Sequence, residues 1–357
     1  MLEPRAFAAV PFSVKFKCYM SVEKQLYTLL REHPGDYLSA DQIGRTLGTD
    51  RGSVRLLLDN LQRAGATIEC HPVLGYRLNQ LPDGLLACEV SYELETRCFG
   101  QQVQIYQEVD STNDEVRQLA EQGAPEGSLV IAEGQRAGRG RRGRNWHSPP
   151  GTGLWCSLLA YPYVQTPLGF LTLLFGVAIA RAIRFHCGAC AVLKWPNDVL
   201  LDGRKVAGIL CELHAAAAGP AALVAGFGVN VNQEDFPPEL RASATSIYLH
   251  TGHKFQRAAL LKRMLREIEQ DYLCAAAGGE NLIMDQARAF SSTLGRLVRV
   301  ETDERKMGGY AVDLDVSGAL ILADEGGARR AVHAGDVHHL EEPASGEISL
   351  DVQSPDS

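Results

Sequence analysis

The chain has 357 residues, 45% of them apolar and 22% charged, with a formal net charge of −8. That composition belongs to a soluble globular protein with room for two or three domains, and the acidic balance argues against a nucleic-acid or membrane field spread over the whole surface. Nine cysteines, an odd number scattered along the chain, fit a reducing cytoplasm better than a disulfide framework.

Met1–Tyr19 mixes Glu3, Arg5, Lys15 and Lys17 with two prolines, so no secretory signal is read there. Residues 1–20 are expected to be a disordered extension, with Met20 as an alternative start. Residues 21–79 read as a small helical module. Leu26, Leu29 and Leu30 form a helical stripe. Ser39-Ala-Asp-Gln42 has the pattern of a capping box and Gly48 of a helix stop. Thr49 or Asp50 caps a third helix that turns Val54, Leu57, Leu58 and Leu61 inward, and Ile68–Leu78 forms a hairpin around Val73-Leu-Gly75. Three helices and a hairpin make a winged helix-turn-helix, with Arg51, Ser53 and Arg55 offered to DNA on the third helix. Residues 21–78 carry seven Lys/Arg and seven Asp/Glu, a net charge of zero. A DNA-binding module usually shows a basic footprint, so a protein-interaction role is the alternative.

Pro82 and Gly84 mark a boundary. Strands are expected near Val103–Val109, Ser128–Glu133, Leu154–Ala160, Val192–Trp195, Val206–Leu213 and Ala222–Val231. Helices are expected near Asn113–Gln122, Leu168–Phe185 and Arg257–Ala277. Their alternation over 88–290 describes a mixed α/β domain without internal repeats. Leu168–Phe185 is the one membrane candidate, but Arg181 and Arg184 interrupt it and it reads as a buried helix. Cys187-Gly-Ala-Cys190 beside His186 lacks a second CxxC to complete a metal site. Residues 291–341 switch to short strands split by Gly308-Gly309, Gly318 and Gly326-Gly327, a small β-barrel pattern. Residues 342–357 are acidic and polar and expected to be disordered.

Between the second and third of those strands lies Gly138-Arg139-Gly140-Arg141-Arg142-Gly143-Arg144. Glycines let the backbone approach a ligand, and arginine forks suit carboxylate and phosphate. With Arg136, five arginines repel one another on an acidic protein, so the loop reads as an anion site that is poorly ordered until a ligand closes it. A disordered Gly/Arg run is not framed by core strands in this way. Four further features accompany it. Asp110-Ser-Thr-Asn113 precedes a helix, with Thr112-x-x-Glu115 as a capping box; Gln135 stands just before the loop. Lys194-Trp-Pro-Asn-Asp198 leaves a strand into a turn. Lys205-Val-Ala-Gly-Ile-Leu210 joins a lysine to an apolar strand. Gly226-Phe-Gly-Val-Asn230 marks either a close approach or a bulge. Each alone has a plain structural reading.

Together and in this order they resemble the biotin protein ligases, over nearly the whole chain. The loop and the K-W-P-N-D segment are the specific motifs. The winged helix and the C-terminal strands match the bifunctional members, which join a ligase to a repressor of biotin genes. The resemblance implies an α+β multidomain fold: a winged helix-turn-helix, a class II synthetase-like central domain and an SH3-like barrel. It implies a cytoplasmic enzyme that makes biotinyl-5′-adenylate from biotin and MgATP. Biotin then passes to a lysine of a biotin carboxyl carrier protein, the acetyl-CoA carboxylase partner. Operator DNA and a ligand-dependent homodimer are the further partners it implies.

By matched position, Ser111, Thr112, Asn113 and Gln135 meet biotin. Arg139, Gly140 and Arg141 cover its carboxylate and the ATP phosphates. Arg142 and Arg144 have either a phosphate or a structural role. Lys205 reaches the carboxylate. Asn197 and Asp198 serve the adenylate, the metal or the incoming lysine, with Asp198 the candidate general base. Trp146 and Trp195 either flank a ligand or pack the core. Asn230 and Asn232 line the nucleotide side. Arg139, Arg141, Lys205 and Asp198 are the catalytic candidates. A lipoate or octanoyl ligase, a sensor that does not ligate, and a ligase whose winged helix no longer binds DNA are the rival readings.

Overall fold

The computed structural model describes residues 22–63, 65–80, 85–162, 166–215, 221–302 and 305–340. The proposed extension at 1–20 with Met20, the boundary at Pro82 and Gly84, and the tail at 342–357 lie outside these residues. Two compact units divide the chain after Gln80.

The first unit holds helices α1 (Val22–Glu32), α2 (Ala40–Leu47) and α3 (Arg51–Arg63) and strands β1 (Thr67–His71) and β2 (Gly75–Gln80). Leu26, Tyr27 and Leu30 are buried on α1, and Val54, Leu58 and Leu61 on α3. Tyr27 thus takes the core position that the leucine spacing gave to Leu29. The Ser39–Gln42 capping box is complete, and Gly48 ends α2 in the left-handed conformation. Asp50, rather than Thr49, caps α3: its carboxylate accepts from the backbone N–H groups of Gly52 and Ser53. The strands pair antiparallel around 72–74 as the sequence predicts.

The second unit begins with α4 (Ala87–Ser91) and is built on a seven-stranded sheet. In chain order follow β3 (Gln102–Val109), α5 (Thr112–Glu121), β4 (Ser128–Gln135), β5 (Gly153–Ala160), α6 (Leu168–Cys187), β6 (Val192–Lys194), β7 (Asp198–Leu201), β8 (Arg204–His214) and β9 (Ala222–Asn230). The strand order is β3-β4-β5-β9-β8-β7-β6, with β3 and β4 parallel and the other pairs antiparallel. Next come α7 (Ile247–Thr251), α8 (Arg257–Ala276) and α9 (Glu280–Phe290).

Every residue of β5 is buried, so both sheet faces are covered. Leu129, Ile131 and Leu158 join the large core with α6 and α8, whereas Val130, Leu159 and Val224 pack against Val116 of α5. Successive strand residues point to opposite faces, which divides these sets. The α6 helix is the one described helix long and apolar enough to cross a membrane. Twelve of its residues are buried in the core, and Arg181 pairs with Glu267 and Asp271 of α8.

A five-stranded antiparallel sheet completes the unit: β10 (Leu297–Glu301), β11 (Lys306–Leu314), β12 (Leu320–Ala323), β13 (Arg329–Val332) and β14 (Asp336–His339), ordered β13-β12-β11-β10-β14. Gly308-Gly309 does not split two strands, contrary to the sequence reading; both lie inside β11. A Cβ on Gly309 would stand 2.7 Å from the Ala323 carbonyl oxygen, so glycine permits close strand approach there. Val298, Val300, Leu314 and Leu320 share the core of the larger sheet.

Candidate functional site

The sheet positions a cavity of about 530 Å³ on its α5 side. Cross-strand register supplies the floor. Trp155 of β5 faces Gly228 of β9, which faces Gly208 of β8, which faces Asp198 of β7; one step along, Ser157 faces Gly226, which faces Leu210. The two β9 glycines answer the choice the motif left open. Strand β9 pairs without a bulge on both sides. A Cβ on Gly226 would stand 2.1 Å from Asn113 Oδ1, and one on Gly228 would stand 2.3 Å from Trp146 Nε1. They are the seats on which Asn113 and Trp146 rest.

The front wall is the start of α5. Its N-cap is Ser111, without a side-chain cap bond, so the expected Thr112–Glu115 capping box does not form. Thr112 is instead the first helical residue. Gln135 Oε1 accepts from its backbone N–H at 2.9 Å, while Gln135 Nε2 donates to Ser148 Oγ at 2.8 Å. Asn113 donates to Glu212 Oε2 at 2.7 Å, and its Oδ1 lies 2.6 Å from Ser157 Oγ. Ser148, Ser157 and Glu212 were not singled out by sequence reasoning. Nothing in their local sequence marks them, because their roles come from register.

The roof is the glycine-arginine loop, which joins neighbouring strands β4 and β5. Gly140 N–H donates to the Arg144 carbonyl and Trp146 N–H to that of Gly138, around a single 3-10 turn at Arg141–Gly143. At Gly138 a Cβ would meet the Trp146 carbonyl oxygen at 2.7 Å. The expected repulsion among the arginines is offset by the chain's own acids. Arg136 bonds Asp110 and Glu108, Arg139 bonds Asp114 at 2.8 Å, and Arg142 bonds Asp336 at 3.0 Å. Arg144 also pairs with Asp336. Burial acts to raise the Asp336 carboxyl, but the hydrogen bond from Arg142 and the charges of Arg144 and Arg142 outweigh it and hold it below its ordinary value. Arg141 reaches the Gly335 carbonyl oxygen at 3.1 Å, with Asn197 Oδ1 3.4 Å away. Burial lowers its pKa, opposed by the nearby Asp336 and Asp198 charges.

The far wall is the β6–β7 turn. Asp198 opens strand β7, which the sequence reading missed by treating Pro196-Asn197 as turn alone. Asn197 is pinned to β8, its amide donating to the Ile209 carbonyl at 2.9 Å. Lys205 Nζ lies 2.7 Å from Asp198 Oδ1 and 5.0 Å from the Trp146 ring centre. That carboxylate oxygen is buried and makes no aligned hydrogen bond, so the approach is charge to charge.

Ser111, Thr112, Asn113, Gln135, Arg139, Gly140, Arg141, Asp198, Lys205 and Asn230 all line this one cavity, as do Arg144, Trp146, Trp195 and Asn197. Within that set the structure separates roles. Asn230 is 3% exposed, with its amide bonded to the Thr245 carbonyl and to Gln233. Asn232 does not reach the lining, because both ends of its amide bind the backbone of Phe255. Trp195 belongs to the core, with Nε1 donating to the Gly318 carbonyl at 2.9 Å. On α3, Arg51 is paired with Asp41, Ser53 Oγ donates to Asp50 at 2.7 Å, and Arg55 is exposed. Among the described residues no His/Cys/Asp/Glu cluster has the makings of a metal site. Cys187 is free, and burial pushes its thiol up to about 12.

Residues 105–230 match the biotin/lipoate A/B protein ligase family, and 293–351 match the biotin protein ligase C-terminal domain. The chain is 34% identical over 323 residues to the bifunctional ligase/repressor BirA of Bacillus spizizenii, covering 89% of this chain and 98% of that protein. It is 37% identical over 247 residues to the biotin–[acetyl-CoA-carboxylase] ligase of Mycobacterium tuberculosis, covering 67% and 89% respectively. The biotin protein ligase of Aquifex aeolicus, solved with biotin and ATP, superposes with a TM-score of 0.60 at 29% identity. That match covers 68% of this chain and 99% of the other.

Proposed function

The chain belongs to the biotin protein ligase family, and from that membership we propose that it joins biotin to ATP as biotinyl-5′-adenylate and passes the biotin to a carrier lysine. The observation that carries this reading is the single cavity in which an arginine loop, the Lys205–Asp198 pair and the Thr112–Asn113 helix start converge. No covalent nucleophile is required; positioning and charge stabilisation suffice.

Attack of a carboxylate on the α-phosphate brings two anions together. Lys205, Arg139 and Arg141 are the cations suited to relieve that repulsion. Ser111, Thr112, Asn113 and Gln135 supply small polar groups for the ureido ring. Asp198 holds Lys205 and is the candidate base for the target amine, whose ordinary pKa is about 10.4. The arginine loop, with an adenylate replacing its contacts to Asp114, would shield the mixed anhydride from water. Magnesium fits as an ion delivered on the triphosphate. Such ions keep most ligands from phosphate and water, and Asp198 is the cavity carboxylate nearest the lysine. Bound there, magnesium would spread phosphate charge.

We also propose that the first unit, 21–79, is a winged helix-turn-helix for operator DNA, supported by its three helices, its hairpin and the exposed Arg55. The pairing of Arg51 with Asp41 favours the rival reading, a ligase whose winged helix no longer binds DNA. The central domain is assigned to 88–290 and an SH3-like barrel to 291–341, supported by the five-stranded sheet. An acetyl-CoA carboxylase carrier domain is the proposed acceptor, and a ligand-dependent homodimer the proposed repressor form. The free state of the eight described cysteines supports a cytoplasmic site. Radiolabel transfer from biotin against lipoate in the presence of ATP tests the reading: labelling from biotin alone is expected, and labelling from lipoate would overturn it.

A further inference from the structure

Glu212 plays no part in the reaction derived above, yet it sits at the head of a hydrogen-bond chain that ends in the cavity. We propose that Glu212 sets the direction of that chain and thereby leaves Thr112 Oγ1 able only to accept a hydrogen bond from the ligand. This rests on the biotin reading and names the residue that selects for the N–H groups of the ureido ring.

A carboxylate accepts and does not donate, so the Asn113 amide must turn Nδ2 toward Glu212 Oε2, at 2.7 Å. Oδ1 then faces Ser157 Oγ at 2.6 Å. A carbonyl oxygen only accepts, so the single Ser157 proton goes to Asn113. Ser157 Oγ also lies 2.7 Å from Thr112 Oγ1. With its own proton committed, Ser157 accepts there, and Thr112 gives up its only proton. Gln135 Oε1 accepts the Thr112 backbone N–H at 2.9 Å and is also within reach of the Thr112 hydroxyl at 3.2 Å, a longer contact than the 2.7 Å to Ser157. Thr112 is 3% exposed and lines the cavity. Toward the ligand it presents lone pairs alone. A ring that offers N–H satisfies them, and one without N–H leaves a buried acceptor unpaired, which is how polar sites reject near-isosteres.

Glu212 is therefore a positioning residue, and its effect reads out in ligand chemistry. Binding of biotin is compared with binding of its cyclic carbonate analogue, in which ring oxygens replace both ureido N–H groups. For Glu212→Leu we expect biotin affinity to fall at least about tenfold and analogue affinity to change less than about twofold, with KM for ATP unmoved. If Leu at 212 prevents folding, Ser157→Ala is read on the same two ligands. It breaks the relay without altering a charge, and the same selective loss is expected. Unchanged biotin affinity, or an equal loss for both ligands, would overturn the proposal. Failure of the unsubstituted protein to bind biotin would instead defeat the ligase reading.

Discussion

Lys205 Nζ stands 2.7 Å from Asp198 Oδ1, and the two residues come from neighbouring strands of one hairpin, β7 and β8. The aspartate holds the ammonium over the cavity and against the Trp146 ring. Lys205→Met should slow adenylate formation about 100-fold or more, the usual loss when a preorganised charge stabiliser is removed. Asp198→Asn separates two roles. If Asp198 acts only by holding Lys205, transfer from preformed adenylate stays normal while adenylate formation slows. If it is also the base, both steps slow. Single-turnover measurement of each step distinguishes them.

Asp336 ties the arginine loop to β14 through Arg142 and Arg144. Its carboxyl titrates below the ordinary value in the folded protein. The contact is therefore fully present above the unfolded value, about 3.9, and is lost as pH falls through the folded one. Hydrogen exchange over 139–145 should be faster in Asp336→Asn than in the unsubstituted protein at neutral pH. The two should converge in acid. Equal exchange at neutral pH would mean the loop is held by other contacts.

Gly226→Ala would place a Cβ 2.1 Å from Asn113 Oδ1. The sheet is covered on both faces here, so Asn113 must move rather than the strand. Overpacking of this kind costs about 1–3 kcal/mol. Biotin affinity should fall about tenfold with the melting transition still cooperative. Calorimetric titration and thermal unfolding check both parts.

For the first unit, an Arg55→Ala variant should weaken operator binding evenly across sequences. It should also reduce the salt dependence by about 0.9 in the log–log slope if one phosphate contact is lost. Arg51, already paired with Asp41, should contribute less. If DNA affinity is the same with and without biotin and ATP, the proposed coupling between ligand and repressor is wrong.

What the sequence made legible was local. The capping box at Ser39, the hairpin around Leu74, the long buried α6 and the order of the site motifs are all written in neighbouring residues. The grouping of Ser111, Gln135, Arg141 and Lys205 in one cavity was implied by the resemblance of their motifs, in this order, to the biotin protein ligases. What was hidden depends on partners far away in the chain. Ser157 and Glu212 reach Asn113 only through the register of β5, β9 and β8. Asp336 meets the arginine loop nearly two hundred residues after it, so the arginines looked unpaired in isolation. Gly308-Gly309 resembled a turn, but the neighbouring strand needs its lack of side chains. Asn230 and Asn232 carry the polarity of ligand groups, yet their amides are bound by Thr245, Gln233 and Phe255.

The most direct measurement is carrier labelling. The full chain is incubated with ATP, labelled biotin and a biotin carboxyl carrier domain, and the same is done with Arg141→Ala. The account predicts labelled carrier from the unsubstituted protein. From the variant it predicts little labelled carrier, with free adenylate escaping into solution. Carrier labelling that is undiminished in Arg141→Ala would contradict the claim that the arginine loop holds the carboxylate and phosphate while the adenylate forms.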